Sequence, residues 1–536
     1  MTRRFCGILQ HLSGSKNESP LKQDYLQVVE MSNEPFNSNR FTTPLLVVIV
    51  SLGAAMRFYG LEAQSLWVDE LASWDFSNQG SLAAVIFETA NDVHPPGYYI
   101  ILHFVIKLFG DSEAIMRIPS AIAGTISIVA MFHLARRLYS DKEAIIASAL
   151  TAVLWCPIFY SQMARAYSFV FLFTILTTIS LYSLVRNFRQ DTKSPLTILL
   201  HVLCSIILIY LHYYGFIIVV FQGGALAAFS LKRGKCFFIT IAIYLAIFMA
   251  YSPWLPIMVK HSGENLPWFS KPTMSYFLYY IGFFFNKSIE LTLMVLVVCL
   301  VAFIHTCQKY TKLHDYDSAK DMNRVAEYFS INIMLLAWLF VPFIFVYVYS
   351  ILCRPALRFY SFMICMPAAY LIFARALCRL PLSNLTSSLV TVGIILLFTW
   401  HLVFFMQYYS RPHNEDYFNH PEWAQFREAV GFVVQREDLY RSAVVVGCPN
   451  KKFFNYYFDK MIGKKRVTEN VCSLQDIVLI EGLIQKNRPS YLWYIFADTK
   501  PEASLLSTLA ERFSLVEKAS FNSAGVYLFR INPTTR

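Results

Sequence analysis

The chain is 536 residues long, 56% hydrophobic and only 15% charged. An ordinary soluble domain is about a quarter charged, so this composition excludes a soluble globular protein and predicts one that crosses a membrane many times. The net charge of +11 does not indicate a nucleic-acid partner, because Lys and Arg fall in short clusters between apolar runs, as topology requires, rather than along one stripe.

Residues 1–40 carry Arg3, Arg4, Lys16, Lys22 and Arg40 among Ser, Asn and Pro, lack a cleavable apolar core, and read as a cytoplasmic tail. An apolar run over 42–58 predicts the first span. The polar stretch 62–92 contains Asp69, Glu70, Asp75 and Glu88 and no Lys or Arg, which assigns it to the outer face. Residues 95–109 are apolar but short and open with Pro-Pro, the signature of a re-entrant or interfacial piece. Spans then follow over 115–134, 144–159, 169–185, 196–211, 216–231, 237–256, 289–304, 328–349, 359–372 and 389–405. Every inner loop in that reading is basic, as at Arg136 and Arg137, Arg186 and Arg189, or Lys232 and Arg233. A crossing by 95–109 would turn those clusters outward, so charge favours about eleven spans.

Residues 41–409 thus form a polytopic α-helical membrane domain, and 410–536 about 125 residues of ordinary globular composition. This tail is expected outside the membrane. Its runs SAVVVGC, SYLWYIF and AGVYLFR alternate with amphipathic stretches at 474–486 and 502–513, which predicts a small α/β layer structure. It carries no catalytic motif. Of eleven cysteines, most are scattered through apolar runs with no CxxC and read as small buried hydrophobes. Cys448 and Cys472 share the tail, where an oxidising compartment permits a bridge, although Cys448 also reads as a buried thiol at a strand end. The sequon Asn384-Leu385-Thr386 falls on the inner side and reads as chance.

The polar residues Asp69, Glu70, Asp92, His94, Arg165, His212, Lys260, Arg354 and Arg358 all fall in outer loops or at outer ends of spans. Carboxylates in the first loop facing cations from later loops suit a transfer in which a carboxylate deprotonates an acceptor hydroxyl and cations hold a phosphate leaving group. Outside the membrane no nucleotide sugar is at hand, so the donor must carry its own activation, as a lipid phosphate does.

The Asp-Glu pair after the first span, HPPGYY followed by KLFGDSEAIMRIPSA, ARRLYSDKEA, YSQMARAYS, SPWLP and RPALRFY together resemble the GT-C superfamily of polyprenyl-phosphate-sugar-dependent glycosyltransferases. The likeness is to the branch of protein O-mannosyltransferases and the lipid A aminoarabinose transferase, and runs over 42–377. It implies Asp69 as the catalytic carboxylate, with Glu70 beside it, and the turn holding Asp92 and His94 as a second element of the site. Glu70 reads equally as a cap or tether of the following helix, and Asp92 and His94 as shapers of the turn before two prolines. Arg165 reads as a substrate ligand or an interfacial anchor. Of Arg354 and Arg358, one is expected on phosphate and the other at the interface. A divalent metal stays open, since the aminoarabinose branch has Glu-Lys where this chain has Val93-His94.

The sequence therefore predicts an inverting, multi-pass glycosyltransferase of the bacterial inner membrane that moves a hexose or pentose from a polyprenyl-phosphate donor to a hydroxyl of a lipid, glycan or protein acceptor outside. Two rivals remain: a flippase of lipid-linked glycans, and a ligase or polymerase using a lipid-diphosphate glycan. A flippase calls for mid-span charge and related repeats, and neither is present in the sequence.

Overall fold

A computed structural model describes residues 40–192, 194–263, 271–313, 319–410 and 423–532; residues 1–39, expected as a tail, lie outside them. Among the described residues seven helices are long and apolar enough to cross a membrane, from Glu113–Leu138 to Asn384–Phe405, and a bent pair adds an eighth. Thr42–Phe58, Pro195–Leu211 and Met366–Cys378 are shorter apolar helices at positions expected to span. The protein is a multi-pass, mostly helical membrane protein. Gly97–Phe109, the piece expected to be re-entrant, is a fourth shorter apolar helix, and it packs on the helix Val68–Ser77, where His103 Nδ1 lies 2.8 Å from the Ser77 carbonyl.

Local chemistry sets the element ends. Serines open many of the helices: Ser81, Ser112, Ser140, Ser194 and Ser383 each accept a backbone N–H of the first turn, satisfying one of the donors a helix start leaves free. Gly97 is required where it stands, since a Cβ there would lie 2.5 Å from the Tyr210 carbonyl oxygen. That close approach seats the His94-Pro95-Pro96 turn against the end of Pro195–Leu211.

Three expected spans are interrupted. The run 144–159 breaks at Leu154, and Asp141–Val153 meets Trp155–Ser161 at 55°, with Pro157 following the break. The run 237–256 ends as the helix Gly234–Tyr251, and a new helix, Leu255–Gly263, begins beyond Pro253. The run 359–372 starts as the 3-10 segment Phe359–Ile364 before Met366–Cys378, which takes Pro367 in its first turn.

The C-terminal region forms a five-stranded sheet of β1 (Ala443–Cys448), β2 (Val467–Asn470), β3 (Tyr491–Ala497), β4 (Ser514–Phe521) and β5 (Ala524–Arg530), in the order β2-β1-β3-β5-β4. β1 pairs parallel with β2 and β3, whereas β3–β5 and β5–β4 are antiparallel. The helices Ile477–Asn487 and Ala503–Arg512 cover it, burying Ile480, Ile484, Leu505 and Leu509 against Val446, Leu492 and Tyr494. Cys448 and Cys472 are bridged, with Cα atoms 5.1 Å apart.

Candidate active site

Asp69 and Glu70 sit in the first turn of Val68–Ser77. Neighbours on a helix point about 100° apart, so one carboxylate can face a cleft while the other faces the protein. Glu70 faces inward and is 0% exposed. Its two oxygens accept from Arg117 Nε at 2.8 Å and Nη2 at 2.5 Å, and Oε1 also accepts from the Ala164 amide at 2.7 Å. Arg117, equally buried, spends its remaining hydrogens on the carbonyls of Leu61, Gln64 and Ser65. A bidentate pair saturated in this way is a fixed joint. It locks the first outer loop to the loop that carries Arg165.

The Asp69 side chain is 40% exposed, and its nearest cation is Arg165, whose Nη2 lies 3.8 Å from Oδ2. Arg165 Nη1 donates to the Asp69 carbonyl, to Ser73 Oγ and to the Tyr99 hydroxyl at 3.2–3.3 Å. Nη2 lies 3.1 Å from His94 Nε2, and His94 Nδ1 lies 2.9 Å from Asp92 Oδ2. A guanidinium only donates, so His94 Nε2 is the acceptor and Nδ1 carries the proton given to Asp92. Burial alone would raise the Asp92 pKa; the hydrogen bond from His94, with the Arg165 charge behind it, outweighs burial and holds it below the usual carboxylate range. Asp92, His94, Arg165 and Asp69 are thus one chain of contacts.

His212 closes the far side, its ring 5.6 Å from His94 and stacked on Tyr214 at 4.9 Å. Its Nδ1 accepts from the Tyr214 amide at 3.2 Å, which leaves the proton on Nε2, a buried donor with no protein acceptor among the described residues. Burial, with the Arg165 charge nearby, keeps this imidazole well below its ordinary pKa and therefore neutral. A cavity of about 10 Å³, lined by His94, Tyr99, Arg165, Tyr167 and His212 among others, has room for about one water-sized atom. A cavity of about 740 Å³ opens on the other side of Arg117, between Tyr59, Glu62, Gln64, Ile118 and Tyr409, and does not include Asp69. The smaller cavity does not include it either.

Residues 93–256 match the family model described as dolichyl-phosphate-mannose-protein mannosyltransferase. Over 92% of this chain and 99% of the other, the fold matches ArnT from Cupriavidus metallidurans in the apo state with a TM-score of 0.56 at 12% identity. Over residues 93–256 the chain thus resembles that mannosyltransferase family, and as a whole it has the fold of ArnT. The same ArnT bound to undecaprenyl phosphate gives a TM-score of 0.51 at 12% identity, again over 92% and 99% of the two chains. The S. cerevisiae Pmt1-Pmt2 complex bound to the sugar donor overlaps 44% of this chain and 35% of that one, at 16% identity and a TM-score of 0.35, too slight an overlap to build on. No curated protein matches by sequence.

The residues expected at the site divide. Asp69, Asp92, His94 and Arg165 come together. Glu70, expected as a catalytic carboxylate or as a cap or tether, accepts from Arg117, from the Ala164 amide and, at 3.4 Å, from the Trp67 amide at the start of its own helix. Arg358 caps the segment Phe359–Ile364, and its charge is felt by Tyr214, behind His212. Arg354 donates through Nη1 to the carbonyls of His261 and Ser262. His261 in turn lies 3.1 Å from the Ala90 carbonyl, so Arg354 steadies the second loop from outside. Arg117 and Tyr99 were not assigned to the site from sequence, and His212 was grouped with its polar residues but given no role. Arg117 stands inside the motif KLFGDSEAIMRIPSA, and an arginine there could have been matched to the second carboxylate. From the C-terminal domain comes Asp498, whose carboxyl is pushed up to about 6 by burial and by the charge of Asp69. Among the described residues no three His, Cys, Asp or Glu side chains converge as a metal site.

Proposed function

We propose that this protein is an inverting glycosyltransferase that takes a sugar from a polyprenyl-phosphate donor and places it on an acceptor hydroxyl at the outer face of a bacterial inner membrane. The observation that carries this reading is the division between the two adjacent carboxylates: Glu70 is wholly engaged, while Asp69 is accessible and has one buried arginine beside it. Asp69 accepts the proton of the acceptor hydroxyl as its oxygen bonds to the anomeric carbon; the bond from that carbon to the phosphate oxygen breaks, and its electron pair leaves with the phosphate. Attack opposite the leaving group inverts the anomeric centre. In this reading Arg165 stabilises charge near Asp69, and Arg358 and the neutral Nε2–H of His212 are the donors assigned to the phosphate. The undecaprenyl phosphate held by the ArnT structure supports a lipid monophosphate as the leaving group.

The test is mass spectrometry of lipid-linked sugars and surface glycans in a deletion strain. The reading expects one polyprenyl-monophosphate sugar to accumulate and one glycan modification to disappear. Accumulation of a lipid-diphosphate oligosaccharide instead would overturn it in favour of a ligase.

A further inference from the structure

The first outer loop is held from two sides. Arg117 grips it from the membrane helices; the other grip belongs to the C-terminal domain. Tyr457, on the helix Lys451–Ile462, is buried with its hydroxyl 2.6 Å from the Leu66 amide and 2.7 Å from Glu113 Oε1. The directions are fixed by chemistry. An amide N–H only donates and a carboxylate only accepts, so the phenol accepts from Leu66 and gives its single hydrogen to Glu113. Arg427 pairs with the same Glu113 and donates to the carbonyls of Glu62 at 3.0 Å and Ala63 at 3.1 Å. Trp423 stacks on Trp67, ring centroids 5.5 Å apart and planes 7° from parallel, and Ser65 Oγ donates to the Ala424 carbonyl. Farther along, Lys452 pairs with Asp75 at 2.8 Å at the far end of the helix that starts beside Asp69.

We propose that Tyr457 is a positioning residue for glycosyl transfer and that the C-terminal domain, which has no reacting group of its own in this account, completes the site by fixing the backbone just ahead of Asp69. The inference rests on Asp69 being the base. Trp67 is the N-cap of the helix carrying Asp69, so any drift of Leu66 is passed directly to the orientation of that carboxylate. Removing the phenol oxygen leaves a buried N–H and one carboxylate oxygen of Glu113 without their shared partner. The loop then keeps Arg117 and the contacts of Arg427, Trp423 and Ala424, and loses the hydrogen bond that fixes Leu66 itself.

The experiment uses the full chain in vesicles, comparing wild type, Tyr457→Phe and, as a surface control, Arg441→Ala, whose side chain is 81% exposed. Tyr457→Phe is expected to lower kcat roughly tenfold while donor KM stays within about twofold, since small misplacement of a reacting group is read in the chemical step. Amide exchange of Leu66 and of residues 68–77 is expected to rise, with β1, β3 and β5 as protected as before. Wild-type kcat with unchanged exchange at Leu66 would overturn the inference, and so would loss of protection across the sheet, which would make Tyr457 a core residue of its own domain. Exchange reads the anchor without turnover. A looser Leu66 together with an active Asp69→Asn enzyme would therefore condemn the base assignment and leave the anchor standing.

Discussion

Two adjacent carboxylates take opposite fates here because one helix turn puts them in different surroundings. Glu70 is buried with Arg117 and makes the pair a structural joint; Asp69, one residue earlier, stays partly exposed. Glu70→Gln leaves Arg117 buried without a counter-charge, a change of the kind that costs about 3–5 kcal/mol. The expected result is poor folding, seen as a lower melting temperature and protease sensitivity, and not a well-folded inactive enzyme. Asp498 gives a pH-dependent prediction. Its folded pKa of about 6 is raised above an ordinary aspartate by burial and Asp69, so the folded state binds the extra proton and gains stability as pH falls from about 6 toward the unfolded value. Asp498→Asn is expected to raise the melting temperature at pH 7.5 and to lose that advantage near pH 4; equal melting at pH 7.5 would contradict the placement. Asp69 was legible in the sequence from its position in an acidic outer loop. The separation of Asp69 from Glu70 was not, because it depends on Arg117, far along the chain and folded back against the loop.

Elements were legible where one physical signal dominated. Apolar runs gave the helices, but not their breaks at Leu154, Pro253 and Cys365, which follow from proline placement and from packing on neighbours. In the sheet, β1, β3 and β5 are the three central strands and read as apolar runs, whereas β2 and β4 were missed. Both are edge strands, and VTEN and SLVEKASF carry the polar and charged residues that protect an edge. The bridge between Cys448 and Cys472 ties the end of β1 to the segment after β2. With a sequence separation of 24, its loss should cost about 3 kcal/mol in the chain-entropy picture. Cys472→Ser should then lower the denaturation midpoint of the C-terminal sheet; an unchanged midpoint would show that the bridge contributes nothing there.

At the scale of the whole molecule, seven helices, or eight with the bent pair, are long enough to span among the described residues, whereas the basic loops predict about eleven crossings; the C-terminal domain docks at the end of the bundle that holds Asp69. Cysteine labelling in a background without the free cysteines tests the orientation. A cysteine at exposed Lys235 is expected to react only from the cytoplasm and one at exposed Arg441 only from outside; the reverse at Lys235 would invert the topology. The account as a whole stands on one carboxylate. Turnover of the purified Asp69→Asn protein with its lipid-linked donor is the most direct measurement, since loss of a general base typically lowers the rate about 10²- to 10⁴-fold. A folded Asp69→Asn protein slowed by that factor, with donor binding retained, is the predicted result; near wild-type turnover would contradict it.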